Sequence, residues 1–200
     1  MSQDLQASSL HHRITAHAES VQSLVVAFFW GLAEATLFFI VPDVYLGLIA
    51  LFRWRRGLWG TAAAVAGALI GGALMYGLAM RDPAGMNLLL TRIPLIDWSM
   101  LAGISSELHE HGLIGMINGP FRGVPYKVYA VQAGGQCLPF GPFLLMSIVA
   151  RLERILPVTL LAGGAGVLFR PLIERRTRLA VGIYAAVWGI VYLLYYLRFR

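Results

Sequence analysis

The stretch that decides the fold is VQSLVVAFFWGLAEATLFFIVPDVYLGLIALF, residues 21–52. This stretch is largely apolar, but it contains two carboxylates, Glu34 and Asp43, with Pro42 between them. A carboxylate at the centre of a bilayer costs roughly 2.5–3.5 kcal/mol on insertion scales, so ionisable residues in such segments mark functional sites. We therefore expect Glu34 and Asp43 to act in gating or proton coupling, with a cation elsewhere in the chain as their partner.

The length of residues 21–52 indicates how the chain meets the membrane. As one straight helix it would be about 48 Å long, whereas one crossing needs about 20 residues and two need about 40. Pro42 removes a backbone donor and clashes with the preceding helical turn. A re-entrant hairpin over residues 21–52, entering and leaving on the same side, fits best. The alternative is one tilted span that ends near Pro42 and leaves Asp43 at the membrane surface.

The composition is typical of a helical membrane protein. The chain is 58% hydrophobic and 13% charged, with a mean hydropathy of +0.69, whereas soluble domains carry about 25% charged residues. We predict an all-α polytopic protein, with a polar N-terminal tail over residues 1–20 and one integral membrane domain over 21–200. The tail lacks the apolar core of a signal peptide.

The basic charge indicates a membrane surface. The net charge is +6, and the arginines flank apolar segments instead of forming one polar face. Positive-inside topology and anionic lipid headgroups explain this pattern better than nucleic acid does, so no nucleic-acid partner is expected. The single cysteine, Cys137, rules out an internal disulfide and a cysteine-based metal cage.

The remaining apolar segments complete a multi-pass topology of about three or four full spans. The predicted spans are 58–80, 143–169 and 179–197, and residues 119–142 form a Gly/Pro-rich, irregular second re-entrant segment. Residues 58–80 carry a small-residue row with a GxxxG pair, Gly67 and Gly71, which favours close helix packing within the chain; a homodimer face is the alternative.

Charge bias sets the orientation of these segments. Basic residues at 53–56 and 170–178 belong in the cytoplasm, which makes the two broken segments enter from opposite sides of the membrane. Two interrupted segments in corresponding halves indicate an inverted-repeat transporter with a site near the bilayer midplane.

Two groups of charges are candidates for that site. In the second broken segment, Arg122 lies among glycine and proline, with Pro125 and Lys127 following, and an arginine fork suits phosphate. Arg122, assisted by Lys127, would hold a lipid phosphate; alternatively, Arg122 and Glu34 form a purely structural pair. The second cluster consists of Arg151, Glu153 and Arg154, which we interpret as interfacial charges near a bend at Pro157, with Glu153 pairing to an arginine or a loop.

Metal and enzyme chemistry have little support. His109 and His111 are two residues apart, so they do not share a helical face, and no catalytic, nucleotide-binding or metal-binding motif occurs. We therefore expect no metal, no cofactor and no enzymatic activity.

Three elements give the chain a resemblance to a known family. GLAEATLFFIVPDVYLG at 31–47, the Arg-x-x-Pro element Arg122–Pro125, and a glycine turn followed by a long helix over 134–166 resemble the DedA superfamily, also called the VTT or SNARE-associated domain. Val128 stands where relatives often have a second arginine, so the chain resembles a divergent member.

The resemblance implies a lipid transporter in a bacterial-type cytoplasmic (inner) membrane. Such a flippase or scramblase would move an anionic lipid, polyprenyl phosphate or phospholipid, between leaflets, coupled to a proton or sodium gradient. The resemblance implies that Arg122, Pro125 and Lys127 contact the substrate. It implies that Glu34 and Asp43 act in gating. The alternative function is a non-catalytic membrane scaffold or envelope-biogenesis factor.

Overall fold

The computed structural model describes residues 2–198, with side chains described for 9–119 and 122–198. The described chain is helical apart from short turns and a 3₁₀ turn at Gly112–Ile114, and no strand occurs in it, so the predicted all-α class is confirmed. The helices are α1 Ser2–Glu19, α2 Val21–Thr36, α3 Asp43–Phe52, α4 Trp54–Arg81, α5 Pro83–Leu90, α6 Trp98–His111, α7 Gly115–Arg122, α8 Tyr126–Gly135, α9 Phe140–Leu168, α10 Arg170–Arg175 and α11 Thr177–Arg198.

The helices form two compact units that interleave along the sequence. Unit 1 combines the chain up to Ala27, Pro42–Ala63, and the chain from Ile155 onward. Unit 2 combines Phe28–Val41 with Ala64–Arg154. Nothing in the composition marks this division, because every boundary falls within or beside an apolar segment.

Two helices have the length and composition needed to cross a membrane, α4 and α11. The predicted spans 58–80 and 179–197 correspond to these helices. The third predicted span, 143–169, is the 29-residue helix α9, which carries Arg151, Glu153 and Arg154 at its middle. These mid-helix charges separate α9 from α4 and α11, whose charged residues lie near the helix ends.

The first predicted break lies where the proline indicates. Helix α2 ends at Thr36, and α3 begins at Asp43 directly after Pro42, whose φ of −65° suits a helix N-cap. The NH of Phe38 donates to the Ala33 carbonyl at 2.8 Å and closes the end of α2. The region between the two helices, 37–42, is called the first break below.

The second Gly/Pro-rich region is more helical than the sequence predicted. Within 119–142 the chain completes α7, forms all of α8 and begins α9. Gly123, with φ of +76°, and Pro125, the N-cap of α8, make a short break between α7 and α8. The glycine and proline lie at helix ends, where a positive φ or a missing NH is tolerated, and therefore they separate helices without dissolving them.

The N-terminal residues, expected to form a polar tail, form helix α1 instead. This helix packs within unit 1 against α3, α10 and α11, and Ala18 is completely buried there. His17 and the Tyr45 hydroxyl share a hydrogen bond of 2.8 Å between His17 Nε2 and Tyr45 Oη, and Glu19 forms an ion pair with Arg53. A helix with few apolar residues is stabilised here by tertiary contacts, which its composition does not reveal.

The core of unit 2 surrounds helix α8. Every residue of α8 from Tyr126 to Gly134 is buried, and α5, α6 and α7 all pack against the helix. Gly134 permits this packing, because a Cβ added there would lie 2.2 Å from the Tyr76 carbonyl oxygen. A ten-residue helix buried on all sides can hold polar side chains away from solvent, and Lys127 is one of them.

Candidate functional site: a buried carboxylate with three cations

Unit 2 gathers one carboxylate and three cations from three helices. Helix α2 provides Glu34, α9 provides Arg151 and Arg154, and α8 provides Lys127. These four side chains are called the Glu34 cluster below. The cluster lies inside an otherwise apolar core, so each charge must be stabilised by its neighbours.

Glycines on α4 set the position of α2. A Cβ added at Gly67 would lie 1.9 Å from the Phe28 carbonyl oxygen, and one added at Gly71 would lie 2.8 Å from that of Leu32. The backbones of α2 and α4 therefore approach more closely than side chains would allow. The predicted use of Gly67 and Gly71 in packing within the chain is thus observed, and this packing brings the following turn of α2, with Glu34, into the core.

Glu34 and Arg151 form a deeply buried ion pair. Arg151 Nη2 donates to Glu34 Oε2 at 2.5 Å, and the two side chains are only 2% and 4% exposed. Arg154 lies one turn further along α9, with its Nη1 3.6 Å from Glu34 Oε1. Residues three apart share a helical face, so both arginines reach the same carboxylate.

Arg151 is held in place by an aromatic ring as well as by Glu34. Its guanidinium lies over the Tyr126 ring, 4.1 Å from the centroid, in a cation–π contact. The Tyr126 hydroxyl donates to Ser147 Oγ at 2.8 Å, and the Ser147 hydroxyl donates to the Phe143 carbonyl at 2.7 Å. The orientation of Arg151 is therefore fixed from two sides.

Lys127 connects the cluster to the first break. Its side chain is buried, and Nζ donates to the Phe38 carbonyl at 2.7 Å. The Trp30 ring NH donates to the Ile40 carbonyl at 2.9 Å. Irregular backbone inside an apolar environment needs such partners, because its carbonyls have no helical NH to accept from. Lys127 also lies close enough to Glu34 to interact with it electrostatically.

The alternative in which Arg122 and Glu34 form a structural pair is not what the structure contains, because each has another partner. Arg122, the last residue of α7, forms an ion pair with Glu107 and donates to the Tyr129 hydroxyl at 3.3 Å, and its side chain is 51% exposed. The exposed end of α7 is the physical reason, because it directs Arg122 towards α6 and away from the core. Pro125 contributes through the backbone, as the residue from which α8 begins.

The interpretation of Arg151, Glu153 and Arg154 as interfacial charges is wrong for Arg151, which is among the largest fully buried side chains. Glu153 also differs from expectation, because its Oε1 is buried and accepts no hydrogen bond from any described residue. Two arginines three residues apart in an apolar helix, at positions 151 and 154, could have indicated a buried carboxylate that both of them contact. No spacing in the sequence identifies Glu34 as that carboxylate.

Asp43 belongs to unit 1 and is described there. Its side chain is 2% exposed, at the first turn of α3. The Tyr184 hydroxyl, from α11, donates to the backbone carbonyls of Val44 at 2.8 Å and Asp43 at 3.3 Å. Asp43 is therefore enclosed by the protein within unit 1.

Within the described residues, no group of three His, Cys, Asp or Glu side chains is placed to hold a metal ion. His111 faces Glu110 at 3.9 Å, and both side chains are exposed.

Comparison with known proteins adds one relative. The chain is 26% identical to an uncharacterized protein of Haemophilus influenzae over 147 residues, which cover 70% of this chain and 74% of the relative. No known protein-family profile matches the chain. No solved structure matches it significantly.

Proposed function

We propose that the protein is a polytopic membrane transporter of the DedA type that moves a phosphate-bearing anionic lipid between leaflets of a bacterial-type inner membrane. The observation that carries the proposal is the Glu34 cluster, in which one buried carboxylate is approached by three cations. Burying four charged side chains costs free energy, and ionisable groups within a membrane are by default part of a substrate or ion pathway. Polyprenyl phosphate and phospholipid are the candidate substrates.

The two broken helical segments support this assignment. In the proposed topology, 21–52 and 119–142 enter the membrane from opposite sides as re-entrant elements of an inverted repeat. Interrupted helices place charged side chains and free backbone groups near the bilayer midplane, which is where transporters of this kind bind substrate. The cluster draws on both segments, through Glu34 from the first and Lys127 from the second.

The proposed mechanism exchanges one anion for another. In the empty state Glu34 neutralises Arg151 and Arg154. When Glu34 takes up a proton it no longer pairs with them, and the guanidinium groups become available to a lipid phosphate, for which arginine is well suited. Return of the proton would release the lipid, so that phosphate movement and proton movement are linked. Asp43 would act as a second proton carrier in unit 1.

The structure changes which residues we propose as phosphate ligands. Arg154 and Lys127 are near Glu34, whereas Arg122 is paired with Glu107 at an exposed position. Arg154 is the best candidate for the first phosphate contact, because its side chain is 21% exposed while Arg151 is fully enclosed. Arg122 and Pro125 keep their predicted roles only if the pair with Glu107 opens during transport.

The test is lipid flipping by the purified full-length protein in liposomes, with labelled phospholipid or polyprenyl phosphate and leaflet-selective quenching. Arg154→Gln is compared with the matched variant Arg122→Gln, since each removes one arginine that faces a glutamate. We expect Arg154→Gln to abolish flipping and Arg122→Gln to retain it. The reverse result would move the phosphate contact to the second break, and absence of flipping by the wild type with both lipids, with and without a pH gradient, would overturn the proposal.

A proton-coupled cycle makes a separate prediction within the same assay. Glu34→Gln mimics the protonated carboxyl, so it should leave flipping independent of an imposed pH gradient. Retention of the wild-type gradient dependence in this variant would assign the coupling to another group.

The scaffold alternative has less support than the sequence suggested. The sequence feature that favoured a scaffold was the row of small residues on α4. In the structure, Gly67 and Gly71 of this row contact α2 inside unit 2. Alanine at these two glycines destroying function while Glu34→Gln and Arg154→Gln leave it intact would favour the scaffold.

A further inference from the structure

Unit 1 contains an apolar groove that the proposed transport mechanism does not use. The groove has a volume of about 390 Å³ and lies between the start of α4 and the second half of α9. Its walls include Trp54, Leu58, Thr159, Leu160, Gly164 and Leu168. This volume falls in the range of about 300–1,000 Å³ that small-molecule sites occupy.

The hydroxyl of Thr159, the threonine in the groove wall, already has hydrogen-bond partners. The Thr159 hydroxyl donates to the Ile155 carbonyl at 3.1 Å and shares a hydrogen bond of 3.0 Å with Thr61 Oγ1. The groove therefore offers hydrocarbon contacts and no free hydrogen-bonding group from Thr159. An occupant of this part of the groove needs to be apolar.

A cation lies beside one of the groove walls. The Arg55 guanidinium lies over the Trp54 ring, 5.4 Å from its centroid, and Arg55 forms no ion pair with any described residue. Trp54 is itself a groove wall. Tryptophan beside arginine at the end of an apolar helix is typical of the headgroup level of a membrane, where the ring lies at the interface and the cation attracts anionic lipid.

We propose that this groove binds one acyl chain of an anionic phospholipid, with the lipid phosphate beside Arg55. The apolar walls match the acyl chain, and the Arg55 cation over the Trp54 ring matches the headgroup. The site requires only that the protein is embedded in a membrane, and it is independent of lipid flipping.

Gly164 provides a way to close the groove without disturbing the fold. A Cβ added at Gly164 meets no atom within 4 Å, so a larger side chain there extends into the groove. Leucine is also a better helix former than glycine, so Gly164→Leu should not weaken α9. Gly189, on α11, likewise has nothing within 4 Å of an added Cβ and does not line the groove, so Gly189→Leu is the matched control.

The experiment is native mass spectrometry of the full-length protein in detergent, with dioleoyl phosphatidylglycerol or dioleoyl phosphatidylcholine added at equal concentration. The wild type should retain phosphatidylglycerol in preference. Each methylene displaced from apolar burial weakens binding roughly fourfold, so a Gly164→Leu side chain that displaces two methylenes should weaken the binding of either lipid by about 16-fold. Gly189→Leu should bind as the wild type does.

Arg55→Gln tests the headgroup separately from the acyl chain. A single cation near an anionic surface contributes roughly a fivefold preference, so this variant should lose selectivity for phosphatidylglycerol while still binding lipid. Equal lipid binding by Gly164→Leu and the wild type would overturn the proposal. If the wild type is a dimer and Gly164→Leu is a monomer with the same amount of bound lipid, the groove would instead bind a second copy of the chain.

Discussion

Two of the arginine–glutamate pairs in unit 2 share their chemistry and differ in their surroundings. In the Arg151–Glu34 pair the side chains are 2% and 4% exposed, whereas in the Arg122–Glu107 pair they are 51% and 14% exposed. An exposed pair contributes little to stability, while a buried pair leaves an uncompensated charge when one partner is lost. The comparison teaches that burial, and not the presence of opposite charges, decides which pair the fold depends on.

The largest expected effect comes from breaking the buried pair. Arg151→Gln leaves Glu34 with the longer contact to Arg154 and the electrostatic interaction with Lys127. Because the hydrogen-bonded partner is lost, the substitution should destabilise the protein by about 3–5 kcal/mol. Arg122→Gln should cost no more than about 1 kcal/mol. Unfolding of both variants in mixed micelles, followed by circular dichroism, measures the difference. If both variants lost the same free energy of unfolding, burial would not explain a difference between the two pairs.

The second prediction asks whether the buried pair acts as a unit. Arg151→Gln combined with Glu34→Gln removes both charges, so the double variant should be more stable than the sum of the single losses predicts, by up to about 3 kcal/mol. A double-mutant cycle in the same unfolding assay provides the value. Simple additivity would show that Arg151 is stabilised mainly by Tyr126 and other neighbours.

The third prediction concerns the packing that supports Glu34. Alanine at Gly67 would place its Cβ 1.9 Å from a backbone oxygen of α2, and should cost about 1–3 kcal/mol through overpacking. Gly77→Ala is the control on the same helix, since its added Cβ meets nothing within 4 Å, and it should stabilise α4 by about 0.5–1 kcal/mol. Opposite shifts in midpoint temperature would agree with this account, and a stabilising Gly67→Ala would contradict it.

The smallest effect concerns α6, the helix that carries Glu107. The Asp97 carboxylate accepts hydrogen bonds from the Met100 NH and the Ser99 hydroxyl, both at 2.7 Å, and these bonds hold the pKa of Asp97 below its usual value. A lowered pKa stabilises the folded state above the unfolded pKa, and this contribution disappears as the pH falls through the folded pKa.

Asp97→Ala should therefore have a slightly lower midpoint temperature than the wild type near neutral pH. The difference should shrink as the pH falls to about 3. Thermal unfolding of both proteins across this range is the measurement, and a difference that grows on acidification would show that the cap acts through another group.

Local patterns in the sequence were enough to predict several features of the fold. Apolar composition predicted helices, Pro42 predicted the end of one, and the glycines at 67 and 71 predicted a close helix contact. Each of these depends on neighbours within a few turns. Helix α1 could not be predicted in the same way, because its polar sequence is stabilised by α3, α10 and α11.

The site was predicted in its residue types but not in its pairing. Glu34 was recognised as a carboxylate in an apolar segment and Lys127 as a cation that assists Arg122, and both lie in the cluster. Arg151 was assigned to a membrane surface because its neighbours include two other charges and a proline. Glu34 and Arg151 are far apart in the chain, so their contact depends on how α2 and α9 pack, which no local spacing reveals.

Lys127 has a practical value because the chain contains a single lysine. Its amine is buried and donates to the Phe38 carbonyl, so an acylating reagent can reach it only when that contact at the first break is released. Apart from the N-terminal amine, Lys127 is the one primary amine in the sequence, so an amine-selective reagent that forms a stable amide on a side chain reports one event at one position. The rate of acylation at Lys127 therefore measures how often the contact between Lys127 and the first break opens.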